Sequence, residues 1–117
     1  MSINRYQTGE RMSQAVAHGN TLYTAGQVAK GAPGESMTAQ TRDVLNSIDA
    51  LLADAGTDKS KLLSAMIWIT NMEDFAEMNA VWDAWVSAGN TPCRACVQSG
   101  LASDDFCVEI QVIAALD

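Results

Sequence analysis

The stretch CRACVQSGLASDDFCVEIQVIAA, residues 93–115, decides the predicted fold. Within it, residues 93–99 and 106–115 alternate between apolar and other side chains, as β-strands with one buried face do. The polar segment GLASDD joins them, which predicts a hairpin of two neighbouring antiparallel strands. If the loop is symmetric about residues 101 and 102, Arg94 pairs with Glu109 and Cys96 pairs with Cys107.

The alternation assigns the side chains of this predicted hairpin to two faces. One face is apolar throughout and suits a core beneath helices; it consists of Ala95, Val97, Phe106, Val108, Ile110 and Val112. The other face mixes charges, thiols and amides, and it consists of Arg94, Cys96, Gln98, Cys107, Glu109 and Gln111. Together with the neighbouring strand this face is too apolar to stay in water and too polar for an ordinary core. We therefore expect a homo-oligomer in which the same sheet face of another copy covers it, with Arg94 and Glu109 near the seam.

The rest of the chain predicts two helices and further strands. Residues 37–55 carry apolar side chains at helical spacing, with Ser36 as the N-cap and Gly56 as the C-terminal stop. A second helix is predicted over residues 73–87, with an apolar stripe formed by Phe75, Met78, Trp82, Trp85 and Val86. Strands are predicted at residues 3–6, at residues 13–29 as a hairpin that turns at Gly19-Asn20, and at residues 62–70. This order predicts an α+β fold, with a sheet and both helices packed on one of its faces.

Length, composition and charge restrict the class of protein. The chain has 117 residues, of which 48% are hydrophobic, enough for the core of one domain spanning residues 1–117. Its formal net charge is −7 and its seven basic residues are scattered, so it lacks the basic stripe of a nucleic-acid binder. No segment approaches the roughly 20 apolar residues that span a bilayer, and residues 1–14 have no signal-peptide core. We expect a soluble, cytoplasmic protein with neither nucleic acid nor membrane as its partner.

The three cysteines predict neither disulfides nor a metal site. An odd number of thiols is unusual for a disulfide framework. Cys93 and Cys96 form C-x-x-C, but on a strand their thiols point to opposite faces, whereas redox pairs lie at a helix N-terminus. Only Cys107 and the lone His18, which lies beside the predicted turn, remain as zinc ligands. Nucleotide-binding glycine motifs are absent, so no nucleotide cofactor is expected.

Arg94 and Glu109 have two interpretations from the residues alone. They can form a cross-strand ion pair that fixes the register or the oligomer contact. They can instead form an anion site, since a guanidinium binds a carboxylate through two parallel hydrogen bonds and a glutamate can position a water. Asn79, beside the apolar stripe of the second helix, either bonds a loop from a buried position or orients the backbone of a site.

Four segments together resemble the reactive intermediate deaminase (Rid, YjgF-like) family along nearly the whole chain. They are GNTLYTAGQVA at residues 19–29, NMEDFAEMNAVWDAW at 71–85, PCRACVQSGL at 92–101 and VEIQVIA at 108–114. The resemblance implies a chorismate-mutase-like fold with a mixed six-stranded sheet, in a homotrimer with three clefts between neighbouring subunits. It also implies cofactor-free hydrolysis of reactive 2-imino (enamine) acids, released by pyridoxal phosphate enzymes, to 2-oxo acids and ammonia.

The resemblance also assigns site residues. The family's carboxylate-binding arginine falls on Arg94, and the glutamate associated with the attacking water falls on Glu109, so these two are the expected catalytic residues. The expected substrate-binding residues are Arg94, Cys96, Ala25, Gly26 and Asn79. No metal ligand is implied.

The chain departs from the family pattern at two positions. Met12 stands at about the place of the family's site tyrosine, and Ala25 stands where a serine often precedes the glycine. The chain is most similar to less studied branches with an R-x-x-V-Q-x-G-L strand. The function expected from this resemblance is a hydrolase of the 2-iminobutanoate/2-iminopropanoate deaminase type. The alternative is a protein that binds or senses a small carboxylate without turnover; endoribonuclease, a label that family members have carried, fits the negative charge less well.

Overall fold

The computed structural model describes residues 2–117 and contains a mixed sheet with two helices on one face. The helices are α1 (Met37–Asp54) and α2 (Phe75–Trp85), and short 3-10 turns at Lys59–Lys61 and Met72–Asp74 precede β5 and α2. The strands are β1 (Ile3–Thr8), β2 (Ser13–His18), β3 (Thr21–Thr24), β4 (Gln27–Val28), β5 (Leu62–Ile69), β6 (Cys93–Gln98) and β7 (Val108–Ala115). Six strands follow the order β1-β2-β3-β7-β5-β6, and the short β4 pairs with β7 as a seventh. The predicted α+β class is confirmed.

Local signals in the sequence place the first elements. Ser36 caps α1, since its hydroxyl accepts a hydrogen bond from the Ala39 backbone at 3.1 Å. Gly56 ends the helix in the left-handed region, at φ 82°. The predicted hairpin of β2 and β3 is also confirmed, because His18 pairs with Thr21 across the two-residue turn.

The predicted hairpin of the last two strands is wrong. Strand β5 lies between β6 and β7, so Arg94 does not pair with Glu109, and Cys96 does not pair with Cys107. The reason is the helix between β5 and β6: strands joined by such a crossover run parallel and lie side by side. Residues 99–107 then carry the chain past the end of β5, and β7 runs antiparallel on its other side.

The predicted faces are correct for β7 and reversed for β6. On β7, Val108, Ile110 and Val112 are buried in the core, whereas Glu109 and Gln111 lie on the opposite face. On β6, the parallel register aligns Arg94 with Ala65 and Cys96 with Ile67, both buried residues of the helix-covered face. Arg94, Cys96 and Gln98 therefore share the helix-covered face, and Ala95 and Val97 lie on the other.

The core fills the space between the sheet and the two helices. Its largest fully buried side chains include Leu45, Ile48, Ile67 and Ile110. The opposite face of the sheet has no helix over it among the residues that the structure describes; it carries Tyr23, Met66, Trp68, Val97 and Ile113. Tyr23 is 48% exposed and Val97 is 40% exposed, so this uncovered face remains apolar and open in the single chain. In the described part of the chain, no helix is long and apolar enough to cross a membrane.

Candidate functional site

The guanidinium of Arg94 is held by three residues of α2. Its Nη1 donates a hydrogen bond of 2.8 Å to Asn79 Oδ1. Its Cζ lies 5.4 Å from the centre of the Trp82 ring and 5.9 Å from that of Phe75, within the range of cation–π attraction. Phe75, Asn79 and Trp82 are four and three residues apart, so they form one stripe along the helix. The helix thus presents one polar and two aromatic contacts to a single cation on β6.

These contacts leave most of the guanidinium available. Arginine carries five N–H donors in a planar fork, and the bond to Asn79 uses one of them. Arg94 is exposed on β6, the edge strand of the sheet. A cation that is both oriented and accessible can accept a carboxylate in the two-bond geometry. Asn79 neither bonds a loop from a buried position nor contacts the backbone of a site in this chain. Its side chain is half-buried and accepts a hydrogen bond from the Arg94 side chain.

Glu109 and Gly26 form a second group on the other side of the sheet. Glu109 lies on β7, where it aligns with Val28 of β4 on one side and Trp68 of β5 on the other. A Cβ added at Gly26 would overlap the carboxyl group of Glu109, so only a glycine leaves room for this side chain. Ala25 precedes it, and its backbone N–H donates to the Gln14 carbonyl at 2.8 Å. The half-buried carboxylate therefore lies directly against the Gly26 backbone, and a carboxylate held in this way can position a water.

The structure separates the expected site residues into these two groups. Arg94, Cys96 and Asn79 belong to β6 and α2, on the helix-covered side of the sheet. Ala25, Gly26 and Glu109 belong to the β4–β7 region, with Glu109 on the uncovered face. Strand β5 lies between the groups. The expected ion pair of Arg94 with Glu109 therefore does not exist within one chain.

Two aromatic residues of the site were predicted only as core. Phe75 and Trp82 belong to the predicted apolar stripe of the second helix, which gave no hint of a cation contact. Trp82 is indeed almost fully buried, at 4% exposure, yet one face of its ring meets the Arg94 guanidinium. The position of Asn79 between Phe75 and Trp82 could have indicated this contact. A polar side chain at helical spacing from two aromatic residues lies on the same face of the helix as their rings.

Burial keeps two of the three thiols protonated. Burial raises the pKa of the Cys96 thiol, and the nearby positive charge of Arg94 offsets part of that rise. Burial also raises the pKa of Cys107, helped by the negative charges of Asp74 and Glu77. A neutral thiol is a poor nucleophile, so Cys96 can contribute shape and backbone groups rather than covalent chemistry. Cys93 lies on the opposite face from Cys96, as predicted, and donates to the Leu63 carbonyl at 3.2 Å.

The remaining candidate positions lie at the surface. Met12, at about the place of the family's tyrosine, is 53% exposed just before β2. His18 is exposed beside the β2–β3 turn, as predicted. Within residues 2–117, no group of three His, Cys, Asp or Glu side chains is placed to hold a metal ion.

Comparisons with known proteins find similar sequences and structures over nearly the whole chain. The family model described as Endoribonuclease L-PSP matches residues 2–116. The RutC family protein YoaB of Escherichia coli is 42% identical over 99% of this chain and 100% of its own length. The crystal structure of NMB1025, a YjgF-family protein from Neisseria meningitidis, is 44% identical and superposes with a TM-score of 0.96, covering 100% of this chain and 97% of that one. A protein of Salmonella typhimurium named 2-iminobutanoate/2-iminopropanoate deaminase is 30% identical over 86% of this chain and 84% of its own.

Proposed function

Because the chain belongs to the YjgF-like, or reactive intermediate deaminase, family, we propose that it hydrolyses 2-imino acids to 2-oxo acids and ammonia. The reaction takes place in the cytoplasm, in clefts between the subunits of a homotrimer. The relative named as a 2-iminobutanoate/2-iminopropanoate deaminase supports this reaction class. The oriented, accessible guanidinium of Arg94 supports a substrate with a carboxylate.

The observation that carries the proposal is the separation of Arg94 from Glu109. They lie on opposite faces of one sheet with β5 between them, so one ligand can meet both only if a neighbouring subunit supplies one of them. Arg94 lies at the edge strand, and Glu109 lies on the apolar face that no helix among residues 2–117 covers. A neighbour whose β6 edge packs on that face brings its Arg94 to this chain's Glu109. An edge-to-face contact is heterologous, and a heterologous contact that repeats with a rotation of one third of a turn closes into a trimeric ring.

The proposed mechanism requires only positioning and one proton acceptor. Arg94 binds the substrate carboxylate, while Asn79 and Trp82 hold the guanidinium in place. Backbone groups near Gly26 and Cys96 line the imine. Glu109 orients a water toward the C=N carbon and accepts a proton as the C–O bond forms.

Glu109 returns that proton to the nitrogen, which gives an amino alcohol. The hydroxyl proton then moves to the same nitrogen, ammonia leaves as the C–N bond breaks, and the carbonyl of the 2-oxo acid forms. One water is consumed for each ammonia released. Imines already hydrolyse in water, so correct placement of water and carbon supplies a sufficient advantage. No step uses a cofactor or a metal ion.

The test is competition for freshly generated imine. An amino-acid oxidase produces the 2-imino acid in the presence of semicarbazide, which traps it as a semicarbazone that absorbs in the ultraviolet. The wild-type protein lowers the initial rate of adduct formation, whereas Arg94→Ala and Glu109→Gln leave that rate unchanged. Lys61→Ala removes an exposed cation outside the site and behaves as wild type. If the wild type does not lower trapping, or if Arg94→Ala lowers it equally, the proposed reaction is wrong.

A second candidate is binding of a small carboxylate without turnover, which the two departures from the family pattern favour. Met12 provides no hydroxyl where the family has tyrosine, and Ala25 provides none where it often has serine. In that case 2-oxo acids raise the melting temperature, and trapping of imine is unaffected. Endoribonuclease activity, the description of the family model, would instead require RNA affinity that falls with salt. The net charge of −7 disfavours it.

A further inference from the structure

A cavity of about 540 Å³ opens between α1 and α2, away from the residues proposed to bind the imine. Its lining comes from the two helices and from Lys59, in the turn that follows α1. The apolar part of the lining consists of Leu45, Ala80, Val81, Ala84 and Trp85. The volume lies within the range of small-molecule sites.

The cavity exists because hydrogen bonds join the two helices at two places and only small side chains lie between those places. At one end, Glu77 accepts hydrogen bonds of 2.8 Å from the backbone N–H and the hydroxyl of Thr38. At the other end, the indole N–H of Trp85 donates to Asp49 at 3.0 Å. The exposed positions 80 and 84 of α2 between these ties carry only alanine methyl groups. The bonds hold the helices in place, and nothing larger fills the gap.

The rim of this cavity is cationic although the protein is acidic. Glu77 is its lining carboxylate, and that group is already bonded at the first turn of α1, where the helix dipole favours an anion. The other charged lining residues, among those the structure describes, are Arg42 and Lys59. The Lys59 ammonium lies 5.2 Å from the centre of the Trp85 ring, so charge and aromatic surface adjoin.

We propose that this cavity binds an organic anion with a flat apolar body. The body lies between the alanines of α2 and the Trp85 ring, which its bond to Asp49 holds in one orientation. The anionic group lies toward Lys59, whose ammonium adjoins the Trp85 ring. The cavity is formed by the helix layer, on the far side of the sheet from the uncovered face, so it stays open when that face is covered. The proposal does not depend on the imine hydrolysis.

The experiment uses two dyes that share an apolar body. 1-Anilinonaphthalene-8-sulfonate carries the anion, and N-phenyl-1-naphthylamine is its neutral counterpart. Fluorescence titration of the wild-type protein shows saturable binding of the sulfonate at about one site per chain. The neutral dye binds about fivefold more weakly, the factor that one partly exposed ion pair supplies. Equal affinity for both dyes, or no saturable binding, would overturn the proposal.

Variants place the dye in the cavity. Ala84→Trp fills the gap from an exposed helix position and abolishes sulfonate binding, while Lys59→Met weakens it about fivefold. Lys61→Met removes a neighbouring cation of the same turn and leaves binding unchanged, as does Arg94→Ala. Circular dichroism and the melting temperature confirm that Ala84→Trp is folded. Binding that survives both Ala84→Trp and Lys59→Met would place the dye elsewhere and refute the site. If Ala84→Trp does not fold, the comparison of Lys59→Met with Lys61→Met decides.

Discussion

Replacing Gly26 by alanine is the sharpest single perturbation of the proposed water-positioning group. The added Cβ would lie 2.8 Å from Cδ and 3.1 Å from Cγ of Glu109. Carbon atoms prefer a separation of about 3.5–4.0 Å, so the carboxyl group must move by about 1 Å. It is the far end of a half-buried side chain, so it can move without disturbing the core. A displacement of about 1 Å at a catalytic group costs about 100-fold in rate.

We therefore expect Gly26→Ala to lower kcat of imine hydrolysis by about 100-fold, with KM nearly unchanged because Arg94 is not touched. The melting temperature should shift by no more than a few degrees, about the effect of 1 kcal/mol. Gly100→Ala is the matched control, since a Cβ at that position has nothing within 4 Å. The semicarbazide competition measures both variants over a range of imine concentrations.

Glu109→Asp, whose shorter side chain leaves room for the added Cβ, tests whether Gly26 acts through Glu109. If it does, Gly26→Ala lowers kcat much less in the Glu109→Asp background than in wild type. A kcat within about threefold of wild type for Gly26→Ala, well below the effect of such a displacement, would show that the carboxyl position does not matter. A loss of about 100-fold in both backgrounds would assign Gly26 a separate role.

Three further predictions concern Asn79, the helix cap Ser36 and the two partly buried thiols. Asn79→Ala removes the acceptor that orients Arg94 and should raise KM about tenfold or more, in line with one hydrogen bond to a charged group; an unchanged KM would contradict the role of Asn79. Ser36→Ala should lower the free energy of unfolding by about 1 kcal/mol through loss of the α1 cap, measured by urea denaturation, with Ser2→Ala as the control. Burial raises the pKa of Cys96 and Cys107 in the folded state. As the pH rises, the thiols therefore lose their protons in the unfolded chain before they do so in the folded chain. The contribution of the neutral thiols to the free energy of unfolding is lost as the pH rises above about 8.5. The double variant Cys96→Ala/Cys107→Ala should lose less melting temperature than wild type between about pH 8 and 10, and an identical decline would refute the thiol contribution.

The spacing of apolar residues along the sequence is enough to predict the individual helices and strands, because each of them depends on local contacts. Ser36, the helical spacing of Val44, Ile48 and Leu52, and Gly56 together define α1. The alternation along β7 likewise identifies its buried face, since a strand of period two can bury only one set of side chains. Signals of this kind need no knowledge of which strand lies beside which.

The neighbours of β6 could not be read from the same alternation. Strands 93–98 and 108–115 are consecutive in sequence, and consecutive strands often pair, but adjacency depends on the path of the whole chain. The relevant clue was the order strand–helix–strand over residues 62–98, which favours a parallel β5–β6 pair. In the structure β7 takes the other edge of β5 and leaves β6 at the edge of the sheet. This pairing places Arg94 and Glu109 on opposite faces of the sheet. The wrong strand pairing therefore also led to the wrong prediction that the two side chains are neighbours in one chain.

The aromatic contacts of Arg94 were hidden for a different reason. Phe75 and Trp82 occur at a spacing that suits core packing and cation–π contact equally well. Only the position of β6 beside α2 decides between them, and the parallel pairing with β5 fixes that position. The sequence identified the arginine but not the surface that orients it.

Mixing two inactive variants tests most directly the claim that Arg94 and Glu109 act together across subunits. Arg94→Ala and Glu109→Gln are each purified, mixed one to one in denaturant and refolded. Random assembly makes about three quarters of the trimers mixed, and each mixed ring contains about one intact site in three. The account predicts recovery of about a quarter of the wild-type activity, with none in either variant refolded alone. Activity that stays at the level of the separate variants, although mass spectrometry detects mixed trimers, would contradict it.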